Sequence, residues 1–175
     1  MRLFIAINFN DNTRKQLLAL RNELRSRSEY GRFSAEENLH LTLVFLGECD
    51  AKQAAAAKAA MNSTEFEPFP FNVERVGRFK RNGGDIWWVG VKHSGALIDL
   101  HRDLTDKLIA TGFTLEKSKY SPHITIGREV VTDSAPWGIE PFGETVNSIE
   151  LMKSERISGK LTYTAIHKKQ GELLM

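Results

Sequence analysis

Two tetrads of one pattern, His40-Leu41-Thr42-Leu43 and His123-Ile124-Thr125-Ile126, stand 83 residues apart, and of the chain's five histidines only these two have a threonine two places on. In an extended strand side chains alternate between faces, so each histidine shares a face with its threonine while the aliphatic pair points the other way. Each tetrad therefore offers a titratable imidazole beside a hydroxyl to one side and two core-forming groups to the other. In-line displacement at a phosphodiester needs a proton acceptor at the attacking oxygen and a donor at the leaving oxygen. Imidazole, with an unperturbed pKa of about 6.5, serves either role near neutrality and requires no metal. Thr42 and Thr125 are placed to donate to the non-bridging oxygens where charge accumulates.

Positioning such a pair calls for two copies of one unit, and the chain shows them. Ile5 precedes His40 by 35 residues and Val89 precedes His123 by 34, with a leucine-striped segment between in each case. Residues 3–7 read as a strand, and Asn8, Asn10, Asp11 and Asn12 supply acceptors that open a helix. Leu17, Leu20 and Leu24 form its apolar stripe, and Tyr30-Gly31-Arg32 ends it. The first tetrad strand spans residues 40–46, and the Ala-rich stretch 51–61 predicts a second helix. Pro68 and Pro70 mark 66–71 as an edge or lead-in, after which 72–79 and 86–92 form a hairpin around Arg81-Asn82-Gly83-Gly84-Asp85. Leu97, Leu100, Leu104 and Leu108 predict a helix over 95–110, stopped by Gly112. The second tetrad strand, 123–128, follows Pro122, and the runs 146–152 and 161–167 pair antiparallel around Ser158-Gly159-Lys160. The expected class is α+β: a bilobal, pseudo-two-fold duplicated fold, antiparallel sheets with helices packed outside and a central groove between lobes, the whole of 1–175 forming a single domain.

Composition narrows the function. A chain of 175 residues, 41% hydrophobic and 26% charged, is ordinary for a soluble globular protein. The excess of 24 Lys plus Arg over 22 Asp plus Glu is too small to argue by itself for tight nucleic-acid binding. The lone Cys49 builds neither a disulfide nor a thiolate cluster. The opening apolar run reaches Asn8 too early for a signal peptide, and no run of 18 apolar residues occurs, so a cytoplasmic protein without membrane contact is expected. No HExxH, paired-cysteine or GxxxxGK pattern is present, which speaks against a zinc hydrolase or an ATP-dependent kinase or ligase.

The segments Asn38-Leu39-His40-Leu41-Thr42-Leu43-Val44-Phe45-Leu46-Gly47 and Pro122-His123-Ile124-Thr125-Ile126-Gly127-Arg128 resemble the two motifs of the 2H phosphoesterases, in particular the RNA 2′,3′-cyclic phosphodiesterases, also called 2′-5′ RNA ligases. Arg2 to Ile7, Trp88-Val89-Gly90-Val91 and the segment from Ser154 to Tyr163 are similar too. The resemblance implies metal-free and cofactor-free opening of a terminal 2′,3′-cyclic phosphate on RNA, tRNA fragments among the expected partners, by a monomer. It implies that His40 is the general acid and His123 the general base, although the residues themselves leave that assignment open. A second enzyme reading keeps the chemistry on small cyclic nucleotides, ADP-ribose cyclic phosphate or cyclic oligonucleotides. A third is a nucleotide-binding module without turnover.

Around the tetrads, Arg128 matches the family's basic residue five places after the second histidine and suits bidentate phosphate pairing. Strict alternation turns it away from His123 unless the strand bulges at Gly127. Phe45, at the same offset from His40, is expected in the core on burial tendency, with base stacking as its functional alternative. Arg78, Lys80 and Arg81 cluster before the glycine turn and either steer RNA phosphates or serve solubility. His93, His101 and His167 have no motif and are expected at the surface.

Overall fold

A computed structural model describes residues 1–116 and 119–175. The elements run β1 (Arg2–Ile7), α1 (Asp11–Ser26), β2 (Ser28–Phe33), a 3₁₀ turn (Glu36–Asn38), β3 (Leu41–Glu48), α2 (Ala51–Ser63), β4 (Phe69–Phe79), β5 (Asp85–Val91), α3 (Gly95–Ala110), β6 (His123–Thr132), β7 (Trp137–Val146), β8 (Ser148–Ile157) and β9 (Lys160–Gln170). They build two antiparallel sheets, β3-β1-β8-β9 and β2-β6-β5-β4-β7. Laid side by side, β3-β1-β8-β9 matches β6-β5-β4-β7 strand for strand, and β2 is the one addition. This is the α+β, duplicated architecture that the repeat spacing predicts.

Alternation along β1 explains how one strand serves both core and site. Leu3, Ile5 and Ile7 are fully or almost fully buried in the main core, while Phe4 and Ala6 join a small second cluster with Met152 and Tyr163 on the opposite face. Each core side chain of this kind contributes about 1.5–3 kcal/mol. The helices interlock the halves. The helix that follows β1, α1, packs on β2, β6 and β7 of the other sheet, and α3, which follows β5, reaches β3. Side-chain caps start all three helices: Asn10 accepts from the Thr13 amide, Asp50 forms a capping box with Gln53, and Ser94 accepts from Leu97. None of the described helices is long and apolar enough to cross a membrane.

One expectation about the elements changes. Tyr30-Gly31-Arg32 is not a helix stop: α1 ends at Ser26, and the segment forms β2, paired with β6 through Arg32 opposite Arg128 and Phe33 opposite Gly127. None of its residues is fully buried, which hides the strand from a hydrophobic pattern. The stretch marked by Pro68 and Pro70 is a lead-in as expected, with β4 starting at Phe69: Pro70 pairs only toward β7, opposite Thr145, and pairing with β5 begins at Val73.

Candidate functional site

The two histidines stand at the starts of β3 and β6, on the two sheets, and one backbone device holds both. His40 Nδ1 lies 2.7 Å from the Asn38 carbonyl oxygen, and His123 Nδ1 lies 2.7 Å from that of Ser121. A carbonyl only accepts, so in each ring Nδ1 carries the proton and donates, and the neutral ring keeps its lone pair on Nε2. Extended backbone at Leu39 and the fixed φ of Pro122 curl each carbonyl back onto its ring.

Three residues beyond each histidine both strands bulge. On β3, Thr42 lies opposite Ala6 but Val44 lies opposite Ile5, leaving Leu43 as the extra residue. On β6, Thr125 lies opposite Trp88 but Gly127 lies opposite Trp87, leaving Ile126 as the extra residue. Leu43 and Val44, like Ile126 and Gly127, turn inward together, so the residues five places after each histidine rotate back to the site face. Arg128 is therefore exposed on the face of Thr125 and Trp88, and the objection from alternation falls. Phe45, expected in the core, is 52% exposed on the face of Phe4, with the Arg2 guanidinium 5.0 Å from its ring centre.

Aromatic rings wall each imidazole. His40 lies 4.8 Å from Phe4 and meets Tyr163 edge-on at 5.2 Å. His123 meets Phe79 edge-on at 5.1 Å and Trp88 at 6.2 Å. Phe4 and Trp88 are repeat equivalents, each immediately before the repeat residues Ile5 and Val89. Alternation along β1 gives enough signal to find Phe4, whereas Tyr163 and Phe79 depend on strand pairing that spacing does not reveal.

Contacts across the groove join the halves. Tyr120, in the lead-in to the second tetrad, donates from its hydroxyl to the Thr42 carbonyl at 2.8 Å and stacks flat on His101, centroids 3.9 Å apart. Burial pushes its phenol above the ordinary tyrosine range. His101 is thus a packing partner of this tie, and His167 bonds Asn62 at 2.7 Å. The His40 imidazole is held below its usual pKa, chiefly by burial, partly offset by its bond to the Asn38 carbonyl, with Arg128 adding a further downward push. Arg128, carried by the second sheet, thereby acts on the histidine of the first.

The hydroxyl of Thr42 donates to His40 Nε2 at 2.9 Å. Among the described residues His123 Nε2 and the Thr125 hydroxyl have no side-chain partner, and no three His, Cys, Asp or Glu side chains converge as a metal ligand set. Arg78 is structural, donating to the Ser134 carbonyl at 3.1 Å and facing Asp85 at 3.8 Å. Lys80 and Arg81 are exposed beside Phe79.

Comparison with known proteins gives a consistent set of relatives. The family model described as LigT like phosphoesterase matches residues 7–88. The RNA 2′,3′-cyclic phosphodiesterase of Thermotoga maritima is 38% identical over 73% of this chain and 70% of its own length. Its counterpart in Archaeoglobus fulgidus is 35% identical over 82% and 85%. The crystal structure of Escherichia coli LigT complexed with 3′-AMP superposes with a TM-score of 0.85 at 25% identity, covering 98% of both chains.

Proposed function

Because the chain belongs to the LigT-like phosphoesterase family of 2H phosphoesterases, we propose that it opens terminal 2′,3′-cyclic phosphates on RNA by a two-histidine acid–base mechanism. Water attacks phosphorus and gives its proton to His123 Nε2. The bond from phosphorus to the 3′-oxygen breaks, and that oxygen takes a proton from His40 Nε2, leaving a 2′-phosphomonoester. An RNA 5′-hydroxyl in place of water yields a 2′-5′ linkage, and in the reverse direction the two rings exchange roles.

The observation that carries this reading is the repeated Nδ1–carbonyl clasp: two rings of one tautomer, one on each sheet, with Nε2 free of the backbone in both. Arg128 pairs with the phosphate, and Thr125 donates to a non-bridging oxygen. Thr42, whose hydroxyl rests on Nε2 of the neutral His40, turns to the phosphate once that nitrogen is protonated and becomes a donor itself. The phosphate's negative charge opposes the burial that depresses His40 and so readies it as an acid. Phe45 stacks on a base of the substrate. Tyr120 is a positioning residue, fixing how far the second tetrad lies from the first.

The test is turnover of a short RNA ending in a 2′,3′-cyclic phosphate, with EDTA present, by wild type, His40→Ala and His123→Ala. Activity confined to wild type is expected. Undiminished turnover in both variants, or a strict need for added metal, would overturn the reading.

A further inference from the structure

The second sheet carries, next to His123, a chain of side chains that the acid–base reading leaves unused. Arg75 lies over the Trp88 ring at 5.0 Å, Trp88 meets Phe79 at 5.4 Å, and Arg81 lies over Phe79 at 5.7 Å. Both inner rings also contact the His123 imidazole. The sequence is thus cation, ring, ring, cation, running past the catalytic imidazole. Lys80 extends it at the hairpin tip, where it helps line a shallow recess with Arg81 and Asn82.

What marks this row out is how its charges are spent. Arg75, Lys80 and Arg81 are exposed, and among the described residues none of them meets a carboxylate. Arg78, on the same strand, is neutralised by Asp85. The Asp85 carboxylate also accepts from the Arg81 backbone N–H at 2.9 Å, fixing the turn, and the Arg81 guanidinium donates to the Lys80 carbonyl at 2.8 Å, a neutral partner that leaves its charge unpaired. The close approach needed between the strands is built in as well: the Trp88 indole lies where any side chain at position 77 would stand, 2.3 Å from a Cβ there, so Gly77 is what lets the ring lie between Arg75 and Phe79. Cations held against rings keep their charge while losing freedom to swing away, a preorganised arrangement for anions.

We propose that Arg75, Lys80 and Arg81 form a track for the RNA backbone on the His123 side of the groove, gripping phosphates beyond the one that reacts. This rests on the reading of the site as a cyclic phosphodiesterase and goes further by assigning it polynucleotide over mononucleotide substrates. Single-stranded RNA is the fitting ligand because it presents spaced anions beside π-faces to a surface on which cations flank exposed rings.

The experiment compares wild type, the double variant Lys80→Ala/Arg81→Ala, the single variant Arg75→Gln, and a net-charge control, Lys15→Ala/Lys52→Ala, whose lysines are exposed on α1 and α2. Two substrates are assayed over a KCl series: a ten-nucleotide RNA and a mononucleotide, both carrying a 2′,3′-cyclic phosphate. Binding of a fluorescent ten-nucleotide RNA ending in a 2′-phosphate is measured in parallel by anisotropy. For the double variant we expect kcat/KM on RNA and RNA affinity to fall about tenfold at low salt, mononucleotide turnover to stay within about twofold, and the slope of log affinity against log salt to shrink by about 1.4, for two lost phosphate contacts. Arg75→Gln loses about threefold on RNA alone. An unchanged salt slope, an equal loss on both substrates, or an equal loss in the control overturns the track. Absence of turnover by wild type on either substrate would sink the cyclic phosphodiesterase reading instead, and the binding arm would still decide the track.

Discussion

His40 and His123 share one backbone geometry and a pair of flanking rings, and differ in what lies beyond them. Each ring is clasped by the carbonyl two residues earlier and followed by a bulge three residues later, yet the positions those bulges expose hold Phe45 in one half and Arg128 in the other. The first half is aromatic and enclosed, with the His40 Nε2 occupied by Thr42 and its charged form disfavoured by burial. The second half is lined by cations. Duplication has kept what sets the tautomer and direction of each imidazole, and has let diverge what each imidazole meets. A symmetric frame with unequal walls suits a reaction whose two sides differ, one carrying a nucleoside and the other an attacking oxygen.

Removing either ring is the harshest way to break the comparison. His40→Ala and His123→Ala should each lower kcat by about 10³, and the double variant should fall little further, as groups acting in one step are non-additive. Single-turnover assays on cyclic-phosphate RNA measure this. Next comes the cation that bridges the halves: Arg128→Ala should cost about 10² in kcat/KM. It should also raise the His40 pKa, because a positive charge that disfavours imidazolium has gone, and an NMR titration of the His40 ring reads that shift directly.

Phe45→Ala should raise KM for RNA about tenfold with kcat nearly unchanged, the signature of lost base stacking. Tyr120→Phe keeps the ring on His101 and deletes one hydrogen bond worth about 1 kcal/mol. Its kcat should drop about fivefold at constant KM, a split that loss of stability alone would not give. The mildest effect lies in pH. With His40 as acid, activity is lost as pH rises through its lowered pKa, so kcat/KM should decline below the ordinary imidazole range of about 6.5. The limb for kcat should lie higher, since bound phosphate favours the protonated ring. A depressed limb on the acidic side would instead exchange the two roles.

Period and punctuation made most of the fold legible. The leucine stripe over 95–110 coincides with α3, and the 81–85 turn joins β4 to β5. Both tetrads, and the face each histidine shares with its threonine, follow from strand alternation. What escaped depends on partners distant in sequence. The half-exposed residues of β2 carry no apolar pattern, and in β7 Gly138, Pro141 and Gly143 break up the apolar residues until β4 pairs with it. Burial tendency put Phe45 in the core, whereas the extra residue at Leu43 turns it to the site face, and a second shift follows at Leu46. For Arg128 the same device was foreseeable from Gly127, but its twin on β3 has no glycine at the bulge to announce it.

The wall behind His40 is assembled from strands far apart in sequence. Phe4 comes from β1, which pairs on one side with β3 and on the other with β8, and Tyr163 reaches it from β9. Contacts spanning such separations form late, since loop closure must precede them. The enclosure that holds His40 below its usual pKa is therefore completed only when strands far apart in sequence have met, and loosening either strand would release it.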